Sequence, residues 1–346
     1  MEAPAVNELK PLIGLTLDGL REVCAEMGLP RFAAAQMARW LYDKRVTSIA
    51  EMTDLSKKAR EALAAVYCVG REAPLAEARS MDGTVKYLFR GAPERAIESV
   101  YIPDRERATL CVSSQAGCKM NCRFCMTGKQ GWHGDLSPAL IINQVLSIPE
   151  SRSLTNLVFM GMGEPLDNLS ALLPVIEILT AKWGLAWSPK RITVSTIGRI
   201  PQLRQLLDTT RVNIAISVHS PFAAERLSLM PVERAYPVVD VIRTLRDYDF
   251  SGQRRLSLEY IMWDGLNDNL RHADALARLV KGMEVRINLI RFHSIPGVDD
   301  LRPCPTARMT AFRDRLNALG ITATIRASRG EDIMAACGML AGRCEQ

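Results

Sequence analysis

CVSSQAGCKMNCRFCMTGKQG, residues 111–131, carries four cysteines within fifteen residues, Cys111, Cys118, Cys122 and Cys125. The first lies in an aliphatic, β-branched run, Thr109–Ser113, that reads as a buried strand. The other three follow as Cys118-x-x-x-Cys122-x-x-Cys125. Three thiolates at these spacings can wrap one cuboidal iron–sulfur cluster and leave its last iron without a protein ligand. Chemistry needs such an open iron, whereas a cluster held by four cysteines normally only passes electrons. Zinc is the competing reading, with His133 as a further ligand, although structural zinc sites prefer paired Cys-x-x-Cys knuckles. Inert buried cysteines are the bland alternative.

Downstream of this stretch, strands and helices alternate. Candidate strands are Thr109–Ser113, Asn156–Gly161, Arg191–Thr196, Asn213–Val218, Ser257–Met262 and Arg286–Arg291, each rich in the residues of a strand buried on both faces. Amphipathic segments lie between them: Pro138–Leu146, Leu169–Ala181, Val238–Tyr248 and Arg271–Val280. Six βα units in series imply a parallel sheet with right-handed crossovers, too few for a closed eight-stranded barrel. The expected fold is therefore α/β, a partial (βα)6 barrel with its site at the C-terminal strand ends. A seventh strand, Thr322–Ala327, and a short helix near Asp332–Met339 are expected to finish the chain.

Upstream, residues 1–85 read as a small helical accessory domain and 86–346 as the core. Leu20, Val23, Cys24 and Met27 recur at helical spacing before Gly28 and Pro30. A second helix uses Phe32, Met37, Trp40 and Leu41, and a third runs from Asp54 to about Val66. Between 31 and 60, seven basic residues stand against three acids. That surplus suits a solvated helix face or a phosphate-contacting one, and composition does not decide. The whole chain of 346 residues carries a net charge of +6, which permits a polyanionic partner without requiring one. No apolar run reaches the length of a membrane span, and the start lacks a secretory pattern. A cytoplasmic, monomeric protein with no membrane partner is expected, and its nine cysteines are an odd number unsuited to a disulfide framework. Cys24, Cys68, Cys304 and Cys344 are assigned to packing or surface.

The cysteine triad after a first strand, with Phe124 before its third member, resembles the radical S-adenosylmethionine superfamily. Gly161-Met162-Gly163-Glu164-Pro165, one βα unit later, resembles that superfamily's motif for the methionine amino group. The likeness then narrows. Together with 111–131, the segments GMGEPLDN (161–168), RITVSTIG (191–198), NIAISVHSP (213–221), EYIMWDGLND (259–268) and RGEDIMAACGMLAG (329–342) resemble the RlmN/Cfr family of adenosine carbon methyltransferases.

That resemblance implies roles. Cys118, Cys122 and Cys125 would hold a 4Fe-4S cluster, and Gly163, Glu164, Ser195, Ser217, Val218 and His219 would contact S-adenosylmethionine. His293 stands where many family members have an asparagine in that contact, which adds a titrating group. Cys337 matches the cysteine the family methylates, Cys111 its partner thiol, and Glu98 the proton acceptor. Read alone, Cys111 and Cys337 would be buried small hydrophobes, and Glu98 a surface residue.

An adenine amidine carbon is electrophilic and cannot attack a sulfonium methyl, so the implied route is covalent. One S-adenosylmethionine methylates Cys337 and a second yields the radical that activates that methyl. Cys111 then attacks Cys337, releasing the base and leaving a disulfide. The implied partners are 23S ribosomal RNA, tRNA beside the anticodon, and an electron donor such as flavodoxin or ferredoxin. TGKQG (127–131) and GMGEP (161–165) resemble the branch of the family that methylates carbon 2 of the adenine more than the branch that methylates carbon 8. Another radical enzyme, such as a methylthiotransferase or glycyl-radical activase, would share the triad but give no reason for Cys111 and Cys337. A zinc-stabilised RNA-binding module is the non-enzymatic alternative.

Overall fold

The computed structural model describes residues 9–91 and 95–341. The N-terminal elements are β1 (Lys10–Pro11), α1 (Leu17–Glu26), α2 (Ala33–Ala38), a wide helical turn over Arg39–Lys44, α3 (Lys57–Ala64) and β2 (Tyr67–Cys68). Thr16 caps α1 by accepting the Gly19 N–H, and Leu20, Val23 and Cys24 turn inward. The third helix opens at Lys57, not Asp54, because Ser56 is its cap and accepts the Ala59 N–H at 3.2 Å. Phe32 is not an inward position of the second helix. It precedes the first turn and is 67% exposed, while Met37 and Leu41 are buried.

An antiparallel meander follows: β3 (Ala76–Arg79), β4 (Val85–Arg90) and β5 (Ala96–Asp104), the last pairing with β6 (Arg107–Cys111). A small hairpin of β7 (Gln115–Gly117) and β8 (Trp132–Asp135) brackets α4 (Met126–Lys129). The alternating part runs α5 (Pro138–Leu146), β9 (Asn156–Phe159), α6 (Leu169–Thr180), β10 (Ile192–Thr196), α7 (Ile200–Thr209) and β11 (Asn213–Ser217). It continues through α8 (Ala223–Leu229), α9 (Val238–Leu245), β12 (Leu256–Met262), α10 (Leu270–Leu279), β13 (Arg286–Arg291), α11 (Thr306–Ala318) and β14 (Thr322–Ile325).

Among the described residues the main sheet has ten strands, ordered β14-β13-β12-β11-β10-β9-β6-β5-β4-β3. From β6 to β14 every neighbouring pair is parallel, the arrangement that βα units in series demand. Ile214, Ala215 and Ile216 of β11 are consecutive and all buried, so the strand is covered on both faces. The fold is mixed α/β with a parallel-rich sheet, as expected. The antiparallel meander on its flank lay outside the expected six units.

Two corrections concern strand and helix ends. β6, β9, β11 and β14 stop one or two residues before their aliphatic runs do. Ser113 shows why: its hydroxyl donates to the Glu98 carbonyl at 2.6 Å and accepts the Met162 N–H at 2.8 Å, drawing the chain off the ladder. The helix expected over Asp332–Met339 is replaced by a single turn, Glu331–Ile333. Met334 at φ +54° and Gly338 at φ +86° are left-handed, so no helix can run through them.

The chain forms two compact units. One gathers Met1–Ala73, Leu136–Ser151 and Ser170–Ser188; the other gathers Pro74–Asp135, Arg152–Leu169 and Pro189–Gln346, and holds the main sheet. In the first, Arg71 donates to the Leu146 carbonyl at 2.6 Å and Tyr42 packs on Trp183 at 5.9 Å. In the second, Phe124, Trp263, Phe292, Ile295 and Met339 belong to one apolar cluster. Among the described residues, no helix is long and apolar enough to cross a membrane.

Candidate active site

The C-terminal ends of the parallel strands open onto a cavity of about 540 Å³. Its size falls within the range of small-molecule sites. Cys111, Cys118, Cys122, Cys125, Gly163, Glu164, Ser195, Ser217, His219, His293 and Cys337 all line it. Eleven of the thirteen residues singled out from the sequence thus meet in one place. Val218 and Glu98 do not line it.

The loop from Gly117 to Cys125 is shaped by backbone constraints that the sequence spells out. Gly117 sits at φ +76°, and a Cβ there would meet the Gly131 carbonyl oxygen at 1.9 Å. That carbonyl accepts the Cys118 N–H at 2.8 Å, tying the loop to β8. Asn121 takes φ +48°, a conformation asparagine tolerates better than most residues. Cys125 then precedes α4, whose Thr127 and Gly128 N–H groups hydrogen-bond its thiol.

Burial raises the pKa of all three thiols of the triad, Cys118 to about 12. Burial disfavours these thiolates even with the charge of Arg226 acting on Cys122, and a bound metal centre reverses that balance. Among the described residues, no three His, Cys, Asp or Glu side chains converge on a single ion position. A cuboidal cluster binds each thiolate through a different iron and asks for wider spacing than one zinc does. His133, the fourth zinc ligand on paper, is exposed and does not line the cavity.

Glu164 is buried beside the triad. It accepts from the Thr196 hydroxyl, from Ile197 N–H at 3.1 Å and from Leu166 N–H at 3.1 Å. Burial still lifts its pKa to about 7 against those hydrogen bonds. His219, two residues beyond β11, is left-handed at φ +58°. Its Nδ1 accepts the Ile261 N–H at 3.1 Å, so the proton of the neutral ring sits on Nε2. Burial and the charge of Arg226 push its pKa down to about 3. Phe124 packs edge-on against the ring at 4.8 Å. Val218 is fully buried, its N–H donating to the Glu259 carbonyl at 3.1 Å and its carbonyl accepting from Arg226 at 3.1 Å. His293 is buried with Nε2 at 3.0 Å from Ser328 and Nδ1 at 3.1 Å from Glu331.

Cys337 and Cys111 are both free thiols on the cavity wall. Cys337 is open to the cavity and otherwise surrounded by protein, so burial raises its pKa while the charge of Arg326 lowers it. Burial pushes the Cys111 thiol up to about 12, again opposed by Arg326. Arg326 is itself held by Glu259 of β12 at 3.4 Å. The residues after Cys337 are pinned to α4: Met126 N–H donates to the Gly338 carbonyl at 2.8 Å, and Thr127 to that of Leu340 at 2.8 Å.

Sequence reading missed three residues here. Arg226 of α8 is fully buried and donates to the carbonyls of Val218 (3.1 Å), Ser217 (3.0 Å) and Ile197 (3.2 Å), while pairing with Glu233. Glu259 and Arg326 form the charged pair under the two thiols. One signal was available: a glutamate inside the aliphatic run SLEYIM is out of place in a strand buried on both faces unless something pairs with it. Glu98 corrects the bland surface reading, since it is fully buried. Lys119, Arg123 and Lys129 of the cysteine loop are engaged: Lys119 lies over the Trp132 ring at 4.0 Å, Arg123 pairs with Asp300, and Lys129 donates to the Gly297 carbonyl at 2.8 Å.

Comparison with known proteins narrows the choice. Residues 112–277 match the family model of the radical SAM superfamily, and residues 10–69 that of the ribosomal RNA large subunit methyltransferase N-terminal domain. A "Probable dual-specificity RNA methyltransferase RlmN" from Phocaeicola vulgatus is 56% identical, covering 97% of this chain and 96% of its own length. A "Dual-specificity RNA methyltransferase RlmN" from an Anaeromyxobacter species is 40% identical over 98% of this chain and 92% of its own. The crystal structure of a radical SAM methyltransferase from Sphaerobacter thermophilus superposes with a TM-score of 0.90 at 37% identity, covering 96% of this chain and all of that one.

Proposed function

The chain belongs to the RlmN family of radical S-adenosylmethionine RNA methyltransferases, and from that premise we propose that it methylates carbon 2 of an adenosine in 23S ribosomal RNA. The dual specificity in its relatives' names supports extending the proposal to an adenosine beside the tRNA anticodon. The observation that carries this reading is the placement of Cys111 and Cys337 in the same cavity as the cysteine triad, for which a methylthiotransferase or a glycyl-radical activase gives no reason.

Cys118, Cys122 and Cys125 would hold a 4Fe-4S cluster, which, reduced by a flavodoxin or ferredoxin, would supply the electron that cleaves one S-adenosylmethionine to a 5′-deoxyadenosyl radical, while a second S-adenosylmethionine gives its methyl to Cys337. The chain's own residues do the rest. Ser195, Ser217 and His219, at or beside strand ends, and His293 offer hydrogen-bonding groups to the bound sulfonium. Gly163 keeps the backbone bare where it would approach the amino-acid end: at φ +97°, a Cβ there would collide with Gln115. Glu164 fixes the β10 end through Thr196 and Ile197.

Cys337 takes the methyl as a thiolate, and the guanidinium of Arg326 favours that ionised form. Once the methyl carbon is joined to the adenine, the adduct gives up one electron and its ring proton passes to a base, assigned to Glu98 by the family resemblance; Cys111 then attacks the Cys337 sulfur. A carbon–sulfur bond breaks, a disulfide forms, and a two-electron reductant must reset it. The exposed Lys57 and Lys58 of the N-terminal unit serve the RNA phosphates, and a flipped adenine enters the cavity.

The test uses anaerobically purified protein, wild type and Cys337→Ala, with S-adenosylmethionine, reductant and a 23S rRNA fragment. A methyl on Cys337 and 2-methyladenosine lost in the variant are expected. 8-Methyladenosine would move the reaction to the other ring carbon. A loaded cluster with unmethylated Cys337 and no methyladenosine would overturn the assignment.

A further inference from the structure

Three arginines line the cavity: Arg107, Arg326 and Arg329. Arg326 is paired with Glu259 beside the two thiols. The other two stand elsewhere on its wall. On the antiparallel ladder of β5 and β6, Val100 lies opposite Cys111, Ile102 opposite Thr109, and Asp104 opposite Arg107. Residues two apart on a strand share a face, and all six of these line the cavity. The two strands therefore make one continuous wall, from Cys111 out to the hairpin tip where β5 ends at Asp104 and β6 begins at Arg107. Four residues of extended strand, about 13 Å, separate Cys111 from Arg107. Arg329 reaches the same tip from the segment that leads to Cys337, its Nη2 donating to Asp104 Oδ1 at 3.3 Å. Arg107 is exposed, and the side chains of Arg329 and Asp104 are 31% and 56% exposed.

We propose that Arg107 and Arg329 clamp a phosphate flanking the flipped adenosine at the rim of the cavity, while the base lies along the β5–β6 wall toward Cys111. The inference rests on the reading of the chain as an RNA methyltransferase, and it names the groups that seat the substrate. A base drawn out of its stack is set in register by contacts to its backbone. Guanidinium groups match phosphate oxygens bidentately, and two of them meet at this tip. The side chains between tip and thiol, Val100, Ile102 and Thr109, carry no charge and suit the flat face of a base. Asp104 does not close the site. Its pair with Arg329 is a single contact in an exposed setting, and such pairs are weak enough for a phosphate to displace. Arg329 also lies eight residues before Cys337, so one segment carries both the phosphate contact and the methyl.

Equilibrium binding to a 23S rRNA fragment tests the clamp, with the phosphates on either side of the target adenosine replaced in turn by neutral methylphosphonate. In wild type, one of these replacements should weaken binding about tenfold, and a replacement about five nucleotides away should not. Arg107→Gln and Arg329→Gln should each weaken binding of the unmodified fragment about tenfold. Each should also lower the slope of log affinity against log salt by about one. In Arg107→Gln/Arg329→Gln the sensitive methylphosphonate should cost less than about twofold, because its contact is already gone. Asp104→Asn breaks the same ion pair but keeps both guanidiniums, so affinity should hold or rise.

If the Arg329–Asp104 pair only shapes the hairpin, Asp104→Asn weakens binding as far as Arg329→Gln does. If the arginines touch no phosphate, the methylphosphonate penalty survives in the double variant. Either result overturns the proposal. Wild-type protein that binds the fragment but forms no 2-methyladenosine would instead sink the carbon-2 reading, and the phosphate measurements would still decide the clamp.

Discussion

Replacing Arg226 with methionine tests whether one buried guanidinium holds the floor of the site. Arg226 donates to three carbonyls where β10 and β11 end, and to Glu233, which also accepts the Val238 N–H at 3.0 Å. Removing one member of a buried ion pair costs about 3–5 kcal/mol because the partner charge stays buried. The orphaned carbonyls add to this, and relief of the arginine's own desolvation subtracts, so a loss of about 4 kcal/mol is expected. Against a typical total of about 5–15 kcal/mol, that is a large share, and it should lower the melting temperature by roughly 10 °C. Ser217 and His219 lose their support together, so S-adenosylmethionine binding should weaken as well. Arg226→Met/Glu233→Gln, which neutralises the stranded carboxylate but keeps its acceptor, should recover about half of the loss. Chemical denaturation of the three proteins, with isothermal titration of S-adenosylmethionine, measures both effects. A loss under about 1 kcal/mol, or a double variant no better than the single one, would refute the reasoning.

Three further outcomes are expected. His219 stays neutral in the fold down to about pH 3, while in the unfolded chain it takes a proton near 6.5. Its contribution is therefore complete above 6.5 and falls as pH drops toward 3, by about 1.4 kcal/mol per unit. His219→Gln should flatten that slope in stability measured at several pH values, and parallel curves would count against the buried neutral ring. Arg326→Met should slow alkylation of Cys337 and Cys111, with Cys304 as control; equal rates in peptide-resolved mass spectrometry would deny the guanidinium its part. Lys57→Glu with Lys58→Glu should weaken RNA binding about tenfold at low salt and leave S-adenosylmethionine cleavage intact, and unchanged affinity would remove the phosphate platform.

What could be seen in the sequence followed burial. The inner parallel strands β11 and β12 are covered on both faces and appear as aliphatic runs, and the strand centres were found. Their ends were overrun by one or two residues, because Ser113, Gly161, Val218 and Ala327 are the same kinds of residue and leave the ladder only to build the site. The meander gave little signal: AEAR, the β3 edge strand, is half exposed throughout, and polarity at an edge looks like a loop. The expected C-terminal helix failed for a different reason. Residues 332–339 contain helix-forming residues, but tertiary hydrogen bonds claim the backbone first: Ala335 N–H goes to the Gly330 carbonyl, and the Gly338 carbonyl to Met126 N–H. Local propensity is worth fractions of a kcal/mol per residue and loses to such anchors.

The site divides along the same line. The cysteine triad announces itself because its spacing is local. Arg226, Glu259, Arg326 and the Lys86–Glu98 pair are joined only across strands, by register and by crossing helices, and no spacing in the chain encodes those distances. Charges of this kind are paired because burial leaves them no other choice, and each pair sits beneath a strand end or a loop that must not move. The triad could thus be picked out from local spacing, whereas the residues Cys111, Cys337 and Glu98 were named only through the family resemblance. Those that hold them still emerge only when the sheet is assembled, and they are the ones whose removal should show in exchange, in melting and in thiol reactivity before it shows in the product.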